Sequence, residues 1–192
     1  MFSWFSFLSY AVIMSITPGA NNILSMINAK NFGFKKSLPF NFGVFVGFSV
    51  VMLICTIFCN LLSVYIPMLQ FYMQIIGAIY LTYLAFKIIK STLNDNVKPT
   101  NSFIQGALLQ FINPKIYIYC IVSMQTFIMP FYQNDFFMLI LFAFLLAFIG
   151  SIFTFLWAGF GSIFSVLFVK YAKITNIILA LMLIYCALSL FF

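Results

Sequence analysis

Two short segments hold the residues best suited to chemistry, Thr17-Pro18-Gly19-Ala20-Asn21-Asn22 and Asn113-Pro114-Lys115. Each sets a capping residue directly before a proline, inside an otherwise apolar run. Thr and Asn are good helix N-caps, and proline is favoured at the first helical position. The residue before a proline also resists the helical region. Each pair therefore predicts a helix that stops and restarts, with Thr17 and Asn113 as N-caps. A restarting helix presents unpaired N–H groups and the positive end of its dipole. Such an end suits an anion, for example a carboxylate. Lys115 adds a full positive charge, and Asn21, Asn22, Asn113 and Gln110 add amide donors and acceptors suited to an ammonium group. Thr17, Pro18, Asn21, Asn22, Gln110, Asn113 and Lys115 thus form the candidate substrate-binding set, with the parts to hold a zwitterion. A plainer reading stays open: two proline kinks whose freed carbonyls are satisfied by Asn, and a lysine that snorkels or meets a carbonyl.

The elements that must position these residues are set by composition. Of 192 residues, 65% are hydrophobic and 6% charged. Soluble chains carry about 25% charged residues, so this chain calls for an apolar solvent, the bilayer. Six apolar stretches are each long enough to cross it, at roughly 3–27, 38–62, 67–89, 103–129, 136–160 and 172–192. The fold class is an all-α integral membrane protein of six transmembrane helices in a single domain, 1–192. The first stretch lacks a basic leader and is expected to stay in the mature protein. Pro39 and Pro67 fall near the starts of the second and third stretches, and Pro130 after the fourth, where a helix can stop. Pro18 and Pro114 are 96 residues apart (114 − 18), half the chain, each in the first of three consecutive helices. Three is odd, so the halves, about 1–90 and 103–192, are expected to be inverted repeats, with the first and fourth helices broken.

Charge sets the orientation. Lys30, Lys35 and Lys36 lie in the first link, Lys87, Lys90 and Lys98 at the third, and Lys170 and Lys173 in the fifth. Positive links stay in the cytoplasm, which puts both termini outside. Lys115 is the exception, about a dozen residues into the fourth stretch. An ionisable group at that depth is a functional candidate. The formal net charge of +7 is explained by topology, not by nucleic acid, because the lysines form no stripe with interleaved aromatics. With no His and no Glu, neither a metal site nor a cofactor is expected. No nucleophile–base pair or nucleotide loop marks an enzyme. Cys55, Cys59, Cys120 and Cys186 all lie in apolar runs and read as packing, with Cys55 and Cys59 on one helix face. Gly43-x-x-x-Gly47, Gly77-Ala78 and Gly159-x-Gly161 let helices approach closely, and the same faces are candidates for a homodimer contact.

The same residues carry a family resemblance. Thr17-Pro-Gly-Ala-Asn-Asn22, Asn31-Phe-Gly-Phe-Lys-Lys36 and Leu38-Pro39 resemble the amino-terminal signature of the LysE/RhtB amino-acid exporters. Gly77-Ala-Ile-Tyr-Leu81 with Leu84-Ala85, and Phe103-x-x-Gly106 with Asn113-Pro-Lys115, resemble that family's third and fourth helices. Leu109-Gln-Phe-Ile-Asn113, Thr126-Phe-Ile-Met-Pro130 and the run from Asn176 to Ala187 are similar to its cysteine/O-acetylserine exporter branch. Ala20 stands where the family usually has a second proline, and Gln110 where it often has Asn. The resemblance implies secondary active export of cysteine, O-acetylserine or related small amino acids across the bacterial cytoplasmic membrane, driven by the proton-motive force. The alternative from another class is a transmembrane thiol–disulfide relay, which needs reactive cysteines beside the helix breaks.

Overall fold

A computed structural model describes residues 2–91 and 101–191. The helices are α1 (Trp4–Ile16), α2 (Ala20–Phe32), α3 (Phe34–Ile57), α4 (Cys59–Ser91), α5 (Phe103–Phe111), α6 (Pro114–Val122), α7 (Met129–Tyr132), α8 (Phe136–Ile163), α9 (Ser165–Lys170) and α10 (Ala172–Leu188). A π-helical segment, Ser123–Ile128, joins α6 to α7. No strand occurs among the described residues. The link with Asp95 and Lys98 lies outside them.

Among the described residues, three helices are long and apolar enough to cross a membrane, over Phe34–Ile57, Phe71–Lys90 and Phe136–Ile163. The pair Phe103–Phe111 and Pro114–Tyr132, bent by 60°, makes up to four. The remaining expected crossings fall short on those criteria for local reasons. α1 has 13 residues, about 20 Å at 1.5 Å per residue, and α2 carries Asn21, Asn22, Ser25, Asn28, Lys30 and Asn31. α10 has 17 residues. The surface is nonetheless that of a protein in lipid: Phe5, Phe137 and Val166 are 84%, 73% and 80% exposed.

Several boundaries differ from the sequence expectation. α2 runs on to Phe32, so Lys30 lies on a helix and not in a link. The turn after α3 falls at Phe58, which puts Cys55 and Cys59 on different helices and Pro67 inside α4. Pro130 does not end the fourth stretch. It lacks the N–H that would bond one turn back, and the chain widens into the π segment just before it before running on to Tyr132.

Side-chain contacts fix the relative directions. Phe34 meets Ser162, Phe42 meets Phe155, and Phe48 sits against Gly150, so α3 and α8 are antiparallel. Phe7 meets Phe142 and Ile16 meets Trp157, so α1 and α8 are parallel. Thr17 meets Lys115, Tyr10 meets Tyr119, and Phe7 meets Phe127, so α1 opposes α6 and the π segment. α3 and α5 run parallel at very close range. A Cβ on Gly43 or Gly47 would collide with the backbone of Phe103 or Ala107, which is why small residues are required there. Two apolar clusters fill the bundle. One joins α1, α3, α6 and α8 around Met52, Met124 and Leu146. The other joins α2, α4, α5 and α10 around Ile23, Leu81 and Leu183. The two helix breaks lie where these clusters meet.

Candidate substrate site between two helix breaks

The first break is held by side chains that satisfy the end of α1. A helix ends with carbonyls that have no partner along the chain, and hydrocarbon supplies none. Thr17 Oγ1 donates to Met14 O at 2.9 Å. Asn22 Nδ2 donates to Ser15 O at 2.8 Å and to Thr17 O at 3.1 Å. Trp157 Nε1 donates to Ile16 O at 3.3 Å. Lys115 Nζ donates to Thr17 O at 3.3 Å and to Thr17 Oγ1 at 2.8 Å. Each orphan carbonyl from residue 14 to 17 therefore has a donor. Thr17 is the C-cap of α1, not the expected N-cap. Its hydroxyl faces back along α1 because Pro18 and the extended Gly19 (φ −153°) separate it from α2. Gly19 is the N-cap of α2 and supplies no side-chain cap.

The second break follows the expected pattern. Asn113 is the N-cap of α6 with Pro114 at its first turn, and Asn113 Oδ1 accepts from Lys115 N at 3.2 Å. The amide Nδ2 of Asn113 makes no hydrogen bond with a described residue, and Asn113 borders the cavity between the breaks. The starts of α2 and α6 both line that cavity, through Gly19, Ala20, Asn21, Asn113, Lys115 and Ile116. Two positive dipole ends and one lysine thus converge on one space.

Of the expected set, Asn21, Asn22, Asn113 and Lys115 line this cavity. Thr17 and Pro18 lie on the other side of Lys115, beside a larger space of about 330 Å³ bordered by Tyr185 and Ser189. Gln110 stands behind Asn21 and is fully buried. The two amides exchange hydrogen bonds at 2.7 and 3.2 Å, and Gln110 Nε2 also donates to Gly106 O at 2.6 Å. Gln110 therefore orients Asn21 and does not border the cavity. Asn22 fulfils the plainer expectation, satisfying freed carbonyls, and also accepts from Thr154 Oγ1 at 3.4 Å.

Sequence reasoning missed Ser15, Thr154, Tyr119, Phe48 and Gly150, all of which border the cavity. Thr154 had a signal, as a polar residue deep in the apolar run of α8. The others had none. The inner cavity is about 40 Å³, close to the roughly 30 Å³ share of one water. Lys115 borders both this cavity and the larger space, with Thr17 on the side of the larger one.

Among the described residues the acidic side chain is Asp135, which caps α8 by accepting from Met138 N at 3.0 Å. Among the described residues no carboxylate meets Lys115; its partners there are neutral oxygens of Thr17. All four cysteines are free and buried. Cys55, Cys59 and Cys120 pack in the core beside Thr56 and Met52, and Cys186 borders the space between Lys115 and α4.

Residues 12–192 match the LysE type translocators. The chain belongs to that family. It is a membrane protein of the LysE type, with its helix breaks facing each other in the bundle. Among curated relatives it is 37% identical over 190 residues to the cysteine/O-acetylserine efflux protein of Salmonella typhi, covering 97% of this chain and 96% of that one. Identity and coverage are the same for the efflux protein of that name from Salmonella typhimurium. The one from Escherichia coli O1:K1 is 36% identical over 189 residues, with the same coverage. No solved structure matches this LysE-type chain significantly.

Proposed function

We propose that this translocator exports cysteine, O-acetylserine and related small amino acids across the bacterial cytoplasmic membrane. The observation that carries the reading is the convergence of two helix N-termini and Lys115 on one cavity, with no acidic side chain there among the described residues. A substrate carboxylate supplies the missing anion. It displaces Lys115 from Thr17 and opens the wall between the inner cavity and the larger space. Asn113 Nδ2 adds a donor for the same carboxylate, and Asn21 Oδ1 accepts from the ammonium of the zwitterion. The names of the relatives supply the substrate class.

In this reading the chain crosses six times as two inverted repeats, about 1–90 and 103–192. The alternating helix directions support it. So does the exchange of partners: α1 and α2 lie on α8, and α5 and α6 lie on α3. Both termini lie outside. The end of the bundle where Lys30 meets Asn176 and Asn101 meets the Lys36 carbonyl is the cytoplasmic one. The opposite end gathers Phe2, Trp4, Phe131 and Tyr132, an aromatic belt.

Export is driven by the proton-motive force, with Lys115 as the group that releases and takes up the proton. The test is transport by purified protein in vesicles carrying a pH gradient, with labelled cysteine, O-acetylserine, threonine and lysine. Concentrative movement of the first two in the export direction is expected. Strong pH-driven transport by Lys115→Met would remove the lysine from the proton path. No movement of any of the four would remove the substrate assignment.

A further inference from the structure

Resting on the substrate site just described, we infer that Phe48, seated on Gly150, forms the end wall of a side-chain subsite and sets the upper size of the amino acid carried. The cavity is lined by two kinds of group. Lys115, Asn21, Asn22 and Asn113 supply polar atoms for the charged groups that all α-amino acids share, and Phe48 and the Tyr119 ring supply apolar surface. With the zwitterion held by the polar groups, the substrate side chain meets this apolar wall.

The wall is positioned by three contacts. The Phe48 ring lies 6.0 Å from the Tyr119 ring, centroid to centroid. Tyr119 is itself stacked on Tyr10 at 6.1 Å and donates its hydroxyl to Leu146 O at 3.4 Å. Against the Phe48 ring lies Gly150, which also borders the cavity and where a Cβ would overlap the ring edge. Glycine is a poor residue for the middle of a helix, and α8 is otherwise rich in Phe, Leu and Ile. The notch it leaves is filled by Phe48, which is 5% exposed. The small residue on α8 thus leaves room for the ring on α3. At Gly43, Gly47 and Gly161 the nearest atoms are backbone, whereas at Gly150 they all belong to this ring. Its role is therefore to place the ring, and a side chain there would displace Phe48 and narrow the subsite.

The experiment is a competition assay in vesicles with the wild type, Phe48→Ala, Phe48→Leu, Gly150→Ala and the double variant Phe48→Leu/Gly150→Ala. Each carries labelled O-acetylserine against unlabelled serine, cysteine, methionine, leucine and phenylalanine. Phe48→Leu keeps an apolar filler in the notch should Phe48→Ala fail to fold. Shortening the ring is expected to strengthen competition by methionine and leucine about tenfold relative to serine, the scale of one or two methylene groups in an apolar pocket. Gly150→Ala is expected to lower O-acetylserine transport several-fold more than cysteine transport, and the double variant to recover it. Restoration by a second substitution is not what independent packing defects produce. An unchanged order of competitors in the folded Phe48 variants, or a double variant as poor as Gly150→Ala, overturns the subsite while leaving export standing. A wild type that carries no amino acid overturns both.

Discussion

Lys115 holds two positions at once: it caps the end of α1 through Thr17, and it faces the cavity at the start of α6. A cation is favoured at a helix C-terminus, so the Lys115–Thr17 contact is favourable without substrate. A carboxylate competes for the same ammonium with a full charge, which makes the stronger hydrogen bond. Lys115→Ala is therefore expected to abolish concentrative export in vesicles while the protein remains in the membrane. Thr17→Val removes the 2.8 Å partner but keeps the carbonyl, and Thr17→Ser restores the hydroxyl. We expect Thr17→Val to raise substrate leak in the absence of a gradient and Thr17→Ser to behave as the wild type; equal leak in both would show that the hydroxyl does not hold the wall. Asn22 has a different role. It donates to Ser15 O and Thr17 O, and Asn22→Ala leaves the Ser15 carbonyl without its donor, while Thr17 O keeps Lys115. A loss of about 1–3 kcal/mol is expected in reversible unfolding in detergent. Unchanged stability would mean that water enters the break.

At the scale of the element, glycine positions separate into those that meet backbone and those that do not. Gly47 lies against Ala107, where a Cβ would strike main chain that cannot give way. Gly47→Ala is expected to cost about 1–3 kcal/mol by overpacking. At Gly159 a Cβ would meet nothing within 4 Å. Gly159→Ala is expected to be neutral or to stabilise by up to about 1 kcal/mol through helix propensity. The pair is best measured side by side by thermal unfolding; equal effects would refute the close α3–α5 approach. Glycine thus has opposite consequences in two helices. Small residues mark where close approach is possible, and the partner helix decides whether it happens.

At the scale of the whole molecule, sidedness is the testable property. Lysine-bearing helix ends gather at one end of the bundle and aromatic residues at the other. With the native cysteines buried, single cysteines at Lys35 and Gln133 can be probed with an impermeant thiol reagent. Gln133 is expected to react from outside the cell and Lys35 only after the membrane is opened; the reverse would invert the topology. The sequence alone determined the helical class, the bilayer as solvent, the family and both breaks. These are local properties: apolar runs, and a capping residue before a proline. It misread Thr17, because whether a cap faces forwards or backwards depends on the next two residues and on who supplies the missing donors. It misread Pro67 and Pro130, because a proline marks a missing N–H and not which distortion absorbs it. Only the tertiary structure decided that Gln110 backs Asn21 and that Asn22 meets the carbonyls of α1. It alone brought Thr154, Tyr119 and Phe48 to the cavity. These residues lie on helices far apart in the chain, and no spacing along a sequence records which faces the packing of α3 on α8 and of α1 on α6 will bring together.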